Sequence, residues 1–208
     1  MHGLDGKEGS MMTGKGKPVI GGSQRRLIGE PAMWVAIFGV MIEFSIYFIL
    51  YVYYRAQNVE LFLQSQQQLN QNIGVINTVV LLTSSWFVAV AVHAARKGFI
   101  KIVQSGFIAA FLCGILFCAI KFFEYDEKIR AGIMVDANEF FHFYYTYTYL
   151  HLVHVLVGMG LLVFVLNYHS RKEILELSDI RRIELGGSFW HLVDLIWLIL
   201  FALFYLVK

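Results

Sequence analysis

Five long apolar stretches constrain the fold of this chain more than any other feature. They lie near residues 31–54, 74–95, 102–123, 140–166 and 187–207. Each is about as long as the roughly 20 helical residues that cross about 30 Å of hydrocarbon. The composition agrees, because 58% of the 208 residues are hydrophobic, more than a soluble domain of this size can bury. The sequence therefore predicts an all-α, polytopic membrane protein with five transmembrane helices.

One membrane domain is expected, because no connection is long enough to separate two cores. Residues 1–29 are rich in Gly, Lys, Ser and Met and lack a secretory signal, which predicts a flexible cytoplasmic tail before a single five-helix domain over 30–208. The spacing of apolar residues over 171–185 predicts a separate short helix at the membrane surface. Gly186 and Gly187 then predict a loop before the fifth span.

The distribution of basic residues predicts the orientation in the membrane. Twelve of the seventeen Lys and Arg residues lie in the amino-terminal tail or in the second-to-third and fourth-to-fifth connections. Basic residues favour the cytoplasmic side, so the amino terminus should be cytoplasmic and the carboxyl terminus periplasmic. The expected location is a bacterial cytoplasmic (inner) membrane. No basic stretch is interleaved with aromatic residues as a nucleic-acid site would be.

Polar residues inside the spans are the candidates for function, because ionisable groups are costly in hydrocarbon. Glu43 lies near the middle of the first span. It is either a protonated carboxyl group that hydrogen-bonds a neighbouring helix, or a site for proton exchange or for a polar group of a partner. The residues alone do not separate these alternatives.

The fourth span carries two histidines on a polar helix face. Tyr144, Tyr147, His151, His154 and Gly158 are spaced so that their side chains lie on one face, which should contact protein and not lipid. Two histidines three residues apart can share a metal ion. A hydrogen-bonded packing seam is the favoured interpretation, and a metal site is the alternative.

The fifth span carries His191 and Asp194 between two tryptophans. A local hydrogen bond between this histidine and aspartate, with Trp190 and Trp197 at the membrane interface, would satisfy both polar groups without catalysis. Glu184 could extend this row of polar residues, His191 and Asp194, to the membrane surface. Because no phosphate-binding loop, nucleophile elbow or metalloprotease motif is found, we do not expect chemistry from this chain alone.

Several motifs, taken in order, resemble subunit III of the haem-copper oxidases. They are the closing FWHLVDLIWLILFALFYL, NTVVLLTSSW at 77–86, KFFEY at 121–125, HLVHVLVG at 151–158, and Glu43 in the first span. Together they cover nearly all of the chain from residue 32 onward. One departure is Leu152, which stands where the family usually has a glycine directly after the first histidine of the fourth span.

The resemblance implies an accessory subunit with no redox centre, catalytic residue or metal of its own. Haem and copper or iron are expected only in a catalytic, subunit I-like partner, whose stability or proton uptake this chain would support, and bound phospholipid is expected. Glu43 matches the family's buried carboxylate and is the proton-linked candidate. The candidates for lipid or subunit contact are Glu124, His151, His154, Glu184, Trp190, His191, Asp194 and Trp197.

Five spans match the short forms of the family. The small size and the stretch LLTSSWFVAVAVHAARKG favour the accessory subunit associated with nitric oxide reductase. Subunit III of a cytochrome c or quinol terminal oxidase is the alternative.

Two other classes of protein remain as hypotheses. A small membrane haem or metal protein would use His151, His154 and His191 with Asp194 or Glu43. A proton-coupled carrier built around Glu43 is disfavoured, because the chain shows no internal repeat or broken helix.

Overall fold

The structure, a computed structural model, describes residues 29–169 and 175–207 and contains only helical elements within those ranges. The helices are α1 Gly29–Gln57, α2 Val59–Gln66, α3 Gln71–Arg96, α4 Ile100–Arg130, α5 Glu139–His169 and α6 Leu177–Phe201. A π-helical turn, Ala202–Leu206, continues α6. The predicted tail, apart from Gly29, and residues 170–174 lie outside the described residues.

Five helices are long and apolar enough to cross a membrane, which confirms the predicted all-α class and the number of spans. They are Pro31–Gln57, Gln71–Arg96, Ile100–Arg130, Glu139–Tyr168 and Leu177–Leu206. Following the predicted orientation, we call the end of the bundle that carries Gln57, Gln71 and Arg130 the outer end. The end that carries Arg96 and Ile100 is the inner end.

The fifth span begins earlier than the sequence predicted. A separate surface helix over 171–185 and a loop at Gly186 and Gly187 are wrong for the described part of that segment, since one continuous helix begins at Leu177. The two glycines are buried inside it. A Cβ atom at Gly187 would lie 2.9 Å from Val92 Cγ2, so the absence of a side chain lets α6 pack closely on α3.

Both ends of α4 are set by glycines in the left-handed conformation. Gly98 has φ 77° and Gly132 has φ 76°. After α3, the amide groups of Gly98 and Phe99 donate to the carbonyls of Ala95 and Ala94, which is the Schellman pattern. Glycine adopts this conformation without the steric cost of a Cβ atom. The sharp turn at Gly98 brings α4 back antiparallel to α3.

Helix α6 occupies the centre of the bundle. Its two tryptophans are completely buried, at 0% exposure for Trp190 and 1% for Trp197. The indole nitrogens donate to hydroxyl groups on α3, Trp190 to Ser84 Oγ at 3.0 Å and Trp197 to Thr78 Oγ1 at 3.1 Å. The predicted interfacial position of these tryptophans is therefore wrong. They pack the core because each ring meets an apolar surround and each N–H finds an acceptor on a neighbouring helix.

The outer end is closed by aromatic side chains and by α2. Tyr51, Phe62, Phe140 and Phe204 are each no more than 1% exposed and their rings contact one another largely edge to face. Helix α2 lies in the Gln/Asn-rich connection between α1 and α3 and contributes Phe62 to this core.

Helix α1 is attached to the rest of the bundle mainly through its outer half. The Tyr51 hydroxyl donates to the Leu203 carbonyl at 3.2 Å, and Arg55 donates to the Val207 carbonyl at 3.2 Å. Nearer the inner end, Val35 and Phe38 are 71% and 55% exposed. The described residues therefore leave a long flank of the first helix uncovered.

Candidate functional site

A buried ion pair lies in the outer half of the bundle. Lys121 Nζ is 2.7 Å from Glu124 Oε2, and both residues are 1% exposed. Both side chains come from α4, where residues three apart lie on one face. The Tyr205 hydroxyl donates to Glu124 Oε1 at 2.6 Å. The KFFEY motif therefore builds a contact within the chain. The sequence predicts Glu124 as a candidate for lipid or subunit contact and does not single out Lys121.

Lys121 uses its full donor capacity within this cluster. Besides Glu124, the ammonium group donates to the hydroxyl of Tyr205 at 3.2 Å and to that of Tyr144 at 3.4 Å. It also lies 4.7 Å from the centroid of the Trp197 ring, within the range of a cation–π interaction. An ammonium group has three N–H donors, so all three have partners. The cluster joins α4, α5 and the π-helical turn after α6.

Tyr205 also lines a cavity at the outer end. The cavity has a volume of about 420 Å³, and the other lining residues are Leu63, Gln66, Gln67, Leu69 and Gln71. Below it, Lys128 donates to the carbonyl of Gln68. The α2–α3 connection is thus bonded to α4, and Tyr205 belongs both to the ion-pair cluster and to the wall of the cavity.

Glu43 and His154 lie opposite each other between α1 and α5. Glu43 Oε2 is 3.8 Å from His154 Nε2, and the two side chains are 37% and 16% exposed. The ring of His154 also packs edge to face on Phe44, with centroids 5.5 Å apart. The sequence predicted a buried carboxylate at Glu43, but within this chain the carboxylate is partly exposed on the flank of α1.

His151 lies inside the bundle with no exposed surface. Its ring packs against Trp197, with centroids 5.3 Å apart, and against Phe117 at 5.7 Å. Neither ring nitrogen has a hydrogen-bond partner among the residues that the structure describes. His151 and His154 therefore face different surroundings, one the core and one α1.

The predicted hydrogen bond between His191 and Asp194 is not formed. His191 Nδ1 instead lies 2.6 Å from Ser85 Oγ on α3. The Asp194 carboxylate is only 4% exposed, and within the described ranges neither of its oxygens has a hydrogen-bond partner. His191 and Asp194 are three residues apart and share a helix face. His191 nevertheless forms its hydrogen bond with Ser85 on the neighbouring helix α3.

A polar cavity opens at the inner end beside His191. It has a volume of about 390 Å³ and is lined by residues of α3 and α6, including His93 and Ser188. Arg96 Nε donates to Glu184 Oε1 at 2.8 Å across it. Glu184 thus pairs with a residue of α3 at the rim of the cavity that His191 also lines.

The histidines and carboxylates do not gather into a metal-ligand set. Within residues 29–169 and 175–207, no group of three or more His, Cys, Asp or Glu side chains could hold a metal ion. A metal centre normally takes at least three such protein ligands. The polar side chains instead connect pairs of helices: α4 with α5, α1 with α5, and α3 with α6.

The chain is similar to known membrane oxidase subunits. A family model described as cytochrome c oxidase subunit III matches residues 34–208. The heme-copper oxidase subunit I+III of Aeropyrum pernix is 28% identical over 187 residues, covering 85% of this chain but only 22% of that relative. The cytochrome bo(3) ubiquinol oxidase subunit 3 of Buchnera aphidicola subsp. Acyrthosiphon pisum is 29% identical over 174 residues, 84% of each chain. The probable cytochrome c oxidase subunit 3 of Nocardia farcinica is 28% identical over 161 residues, 77% of this chain and 79% of that relative.

Proposed function

The chain belongs to the cytochrome c oxidase subunit III family, and on this basis we propose that it is the non-catalytic subunit III of a bacterial haem-copper terminal oxidase. The observation that carries the proposal is the family match over residues 34–208, which includes all five membrane spans apart from the first three residues of α1's span. Haem and metal would belong to the catalytic partner.

The similar proteins favour a terminal oxidase over a nitric-oxide-reductase complex. Those described above are named as subunits of haem-copper, cytochrome c or ubiquinol oxidases. The sequence-based preference for the nitric-oxide-reductase-associated form relied on small size and on one stretch of the second span. Small size does not discriminate, because the Buchnera ubiquinol oxidase subunit is covered to 84% of its own length by this chain.

The proposed partner is a subunit I-like catalytic chain in the same membrane. The Aeropyrum relative supports this, since its name joins subunits I and III in one polypeptide. The long uncovered flank of α1 provides surface for such a contact.

We further propose that phospholipid contacts the inner cavity. Arg96 and His93 line it at the end of α3, where the candidate membrane span ends, and they could bind a lipid phosphate. This contact, together with a stabilising or proton-linked role toward the catalytic subunit, is the accessory function that the family membership supports.

The proposal is tested by purifying the tagged full-length chain from its native membranes in mild detergent. We expect a catalytic subunit to co-purify, with haem absorbance and copper in stoichiometric amounts in that complex. The chain expressed alone should carry neither.

Two results would contradict the proposal in different ways. A partner with haem and iron but no copper would restore the nitric-oxide-reductase interpretation. Haem bound through two histidines to the chain expressed alone would support the small membrane haem protein, and His151→Ala with His154→Ala should then remove that haem.

A further inference from the structure

Glu43 lies at a depth where a carboxyl group is costly. It is 12 residues after Pro31 and 14 residues before Gln57 in the first span. At 1.5 Å per residue, about 18 Å and 21 Å of helix separate it from the two ends. Its side chain is nevertheless 37% exposed on the flank of the bundle. Ionisable groups at such depth almost always face protein or a water-filled cavity, so something outside this chain is expected to cover Glu43.

The group that covers Glu43 has to supply a hydrogen-bond donor. His154 Nδ1 lies 2.8 Å from the Leu150 carbonyl, and because a carbonyl only accepts, this nitrogen carries a proton. The other ring nitrogen faces Glu43 Oε2 at 3.8 Å, which is too long for a hydrogen bond in either charge state of the ring. No hydrogen bond to the Glu43 carboxylate is found from the described part of the chain. The carboxylate oxygens of Glu43 and the Nε2 atom of His154 can therefore accept hydrogen bonds for which the described residues supply no donor.

The surface beside Glu43 is one exposed face of α1 that carries small residues near the carboxyl group. Its residues follow the 3-4-3-4 spacing of one helix face: Ala36, Gly39, Glu43, Ile46 and Leu50. Except for Glu43, which is half-buried, all are exposed. A Cβ atom placed at Gly39 would find no other atom within 4 Å. Small residues one and two turns before a polar group let a second helix approach closely in a membrane.

We propose that this face of α1, which we call the Glu43 face, docks one transmembrane helix of another subunit that presents a hydrogen-bond donor at mid-bilayer depth. The inference rests on the proposed function, because it requires a multi-subunit complex. A lipid is the weaker occupant. Acyl chains carry no donor, and headgroups lie about 18 Å away along the helix.

Replacing Glu43 by leucine separates a protein occupant from a lipid occupant. Without the carboxylate, a partner's donor would be left unpaired in hydrocarbon, so recovery of the partner with the chain should fall about 3- to 20-fold. If lipid covered this face, Glu43→Leu would match its surroundings better, and the recovery of the partner would be unchanged. Thermal unfolding of the variant expressed alone should show little change in melting temperature, since the side chain makes no hydrogen bond with the described residues and its contact with His154 is 3.8 Å long.

A larger side chain at Gly39 tests the same face without changing Glu43 or His154. Gly39→Leu should lower recovery of the partner by at least the same factor, because the larger side chain holds a second helix away. Gly160→Leu is the matched control, since Gly160 on α5 also has no atom within 4 Å of its Cβ position and lies on another face than His154. The control should retain the partner. Equal recovery with both variants would contradict the proposal.

Photo-cross-linking in the otherwise unchanged complex identifies the occupant directly. With p-benzoylphenylalanine in place of Ile46, on the Glu43 face, irradiation should yield an adduct to a transmembrane segment of another subunit. The same group in place of Phe164, which is 62% exposed on α5, is the comparison. Adducts to lipid alone at Ile46, or to a second copy of this chain, would overturn the proposal.

The experiments distinguish failure of the proposed function from failure of the proposed docking face. If no haem-copper catalytic subunit co-purifies, the proposed function fails before the Glu43 face is tested. If that subunit co-purifies normally with Glu43→Leu and Gly39→Leu, and Ile46 captures only lipid, the function stands and the docking face is wrong.

Discussion

A single buried lysine holds three parts of the bundle together. The Lys121 ammonium group contacts α4 through Glu124, α5 through Tyr144, and the segment after α6 through Tyr205. Its side chain is 2% exposed and that of Glu124 is 0% exposed. In such surroundings each charge depends on the other, because removing one leaves an uncompensated charge in a low dielectric. The pair therefore contributes to helix packing more than to solubility.

Breaking this ion pair should be costly, whereas removing both charges should not. We expect Lys121→Met to lower the free energy of unfolding by about 3–5 kcal/mol, because Glu124 remains buried and unpaired. Lys121→Met combined with Glu124→Gln should recover most of the loss. The measurement is thermal or denaturant unfolding of the purified chain in detergent, with Asp126→Asn at the exposed Asp126–Arg130 pair as control. That control should change stability by less than about 1 kcal/mol. A double variant as unstable as the single one would contradict this account.

Sequence patterns located the polar residues of the spans but not their partners. Helical spacing predicted that His191 and Asp194 share a face, yet His191 is bound by Ser85, which lies 106 residues away in sequence. Trp190 and Trp197 were expected at the membrane interface, because tryptophan is enriched there. Their acceptors, Ser84 and Thr78, come from α3. Contacts between distant helices depend on tertiary packing, which periodicity within one helix does not specify.

Glycines fix how closely the helices of this bundle pack. At Gly106 on α4, an added Cβ atom would lie 2.9 Å from Ala91 Cβ and 3.0 Å from the Phe87 carbonyl oxygen on α3. At Gly160 on α5 it would meet nothing within 4 Å. The α3–α4 hairpin therefore depends on the missing side chain at Gly106, and α5 does not depend on that at Gly160.

The same glycine-to-alanine change should thus have opposite effects at these two positions. Gly106→Ala should destabilise the chain by about 1–3 kcal/mol, because backbone and Ala91 must move apart. Gly160→Ala should be neutral or stabilise it by up to about 1 kcal/mol, because alanine favours the helix. Melting temperatures of the two purified variants, compared with the unchanged chain, measure the difference. Equal melting temperatures would show that the close approach at Gly106 is not required.

The helices could be predicted better than their ends. All five spans were found from apolar length, but α4 was expected to end near residue 123 and extends to Arg130. Its last turns carry Lys121, Glu124 and Lys128, all buried by neighbouring elements. The sequence predicts a loop at Gly186 and Gly187, although both residues pack inside α6. Charged residues and glycines ordinarily mark helix ends, and here tertiary contacts override that local preference.

At the scale of the whole molecule, the orientation in the membrane follows from the side on which the basic residues lie. The α4–α5 connection should face the periplasm and the α3–α4 connection the cytoplasm. Asp136 lies in the α4–α5 connection and Lys97 in the α3–α4 connection, and both are exposed. The free cysteines Cys113 and Cys118 lie within α4 and would first be replaced by alanine.

Labelling of single cysteines checks this orientation. With a membrane-impermeant maleimide on intact spheroplasts, Asp136→Cys should react, and Lys97→Cys should react only after the membrane is permeabilised. The expected difference arises because the reagent cannot cross the bilayer. The opposite pattern would invert the predicted orientation and would place the Arg96–Glu184 cavity on the periplasmic side.

The residues that hold α1 in the bundle are synthesised long after α1 itself. The carbonyl acceptors of Tyr51 and Arg55 are 152 residues further along the chain, and His154 is 111 residues after Glu43. At roughly 5–20 residues per second, the ribosome needs about 6–22 s to make those 111 residues. Helix α1 is therefore synthesised well before the residues that it packs against. Throughout that interval the carboxyl group of Glu43 lacks the histidine that faces it in the completed bundle.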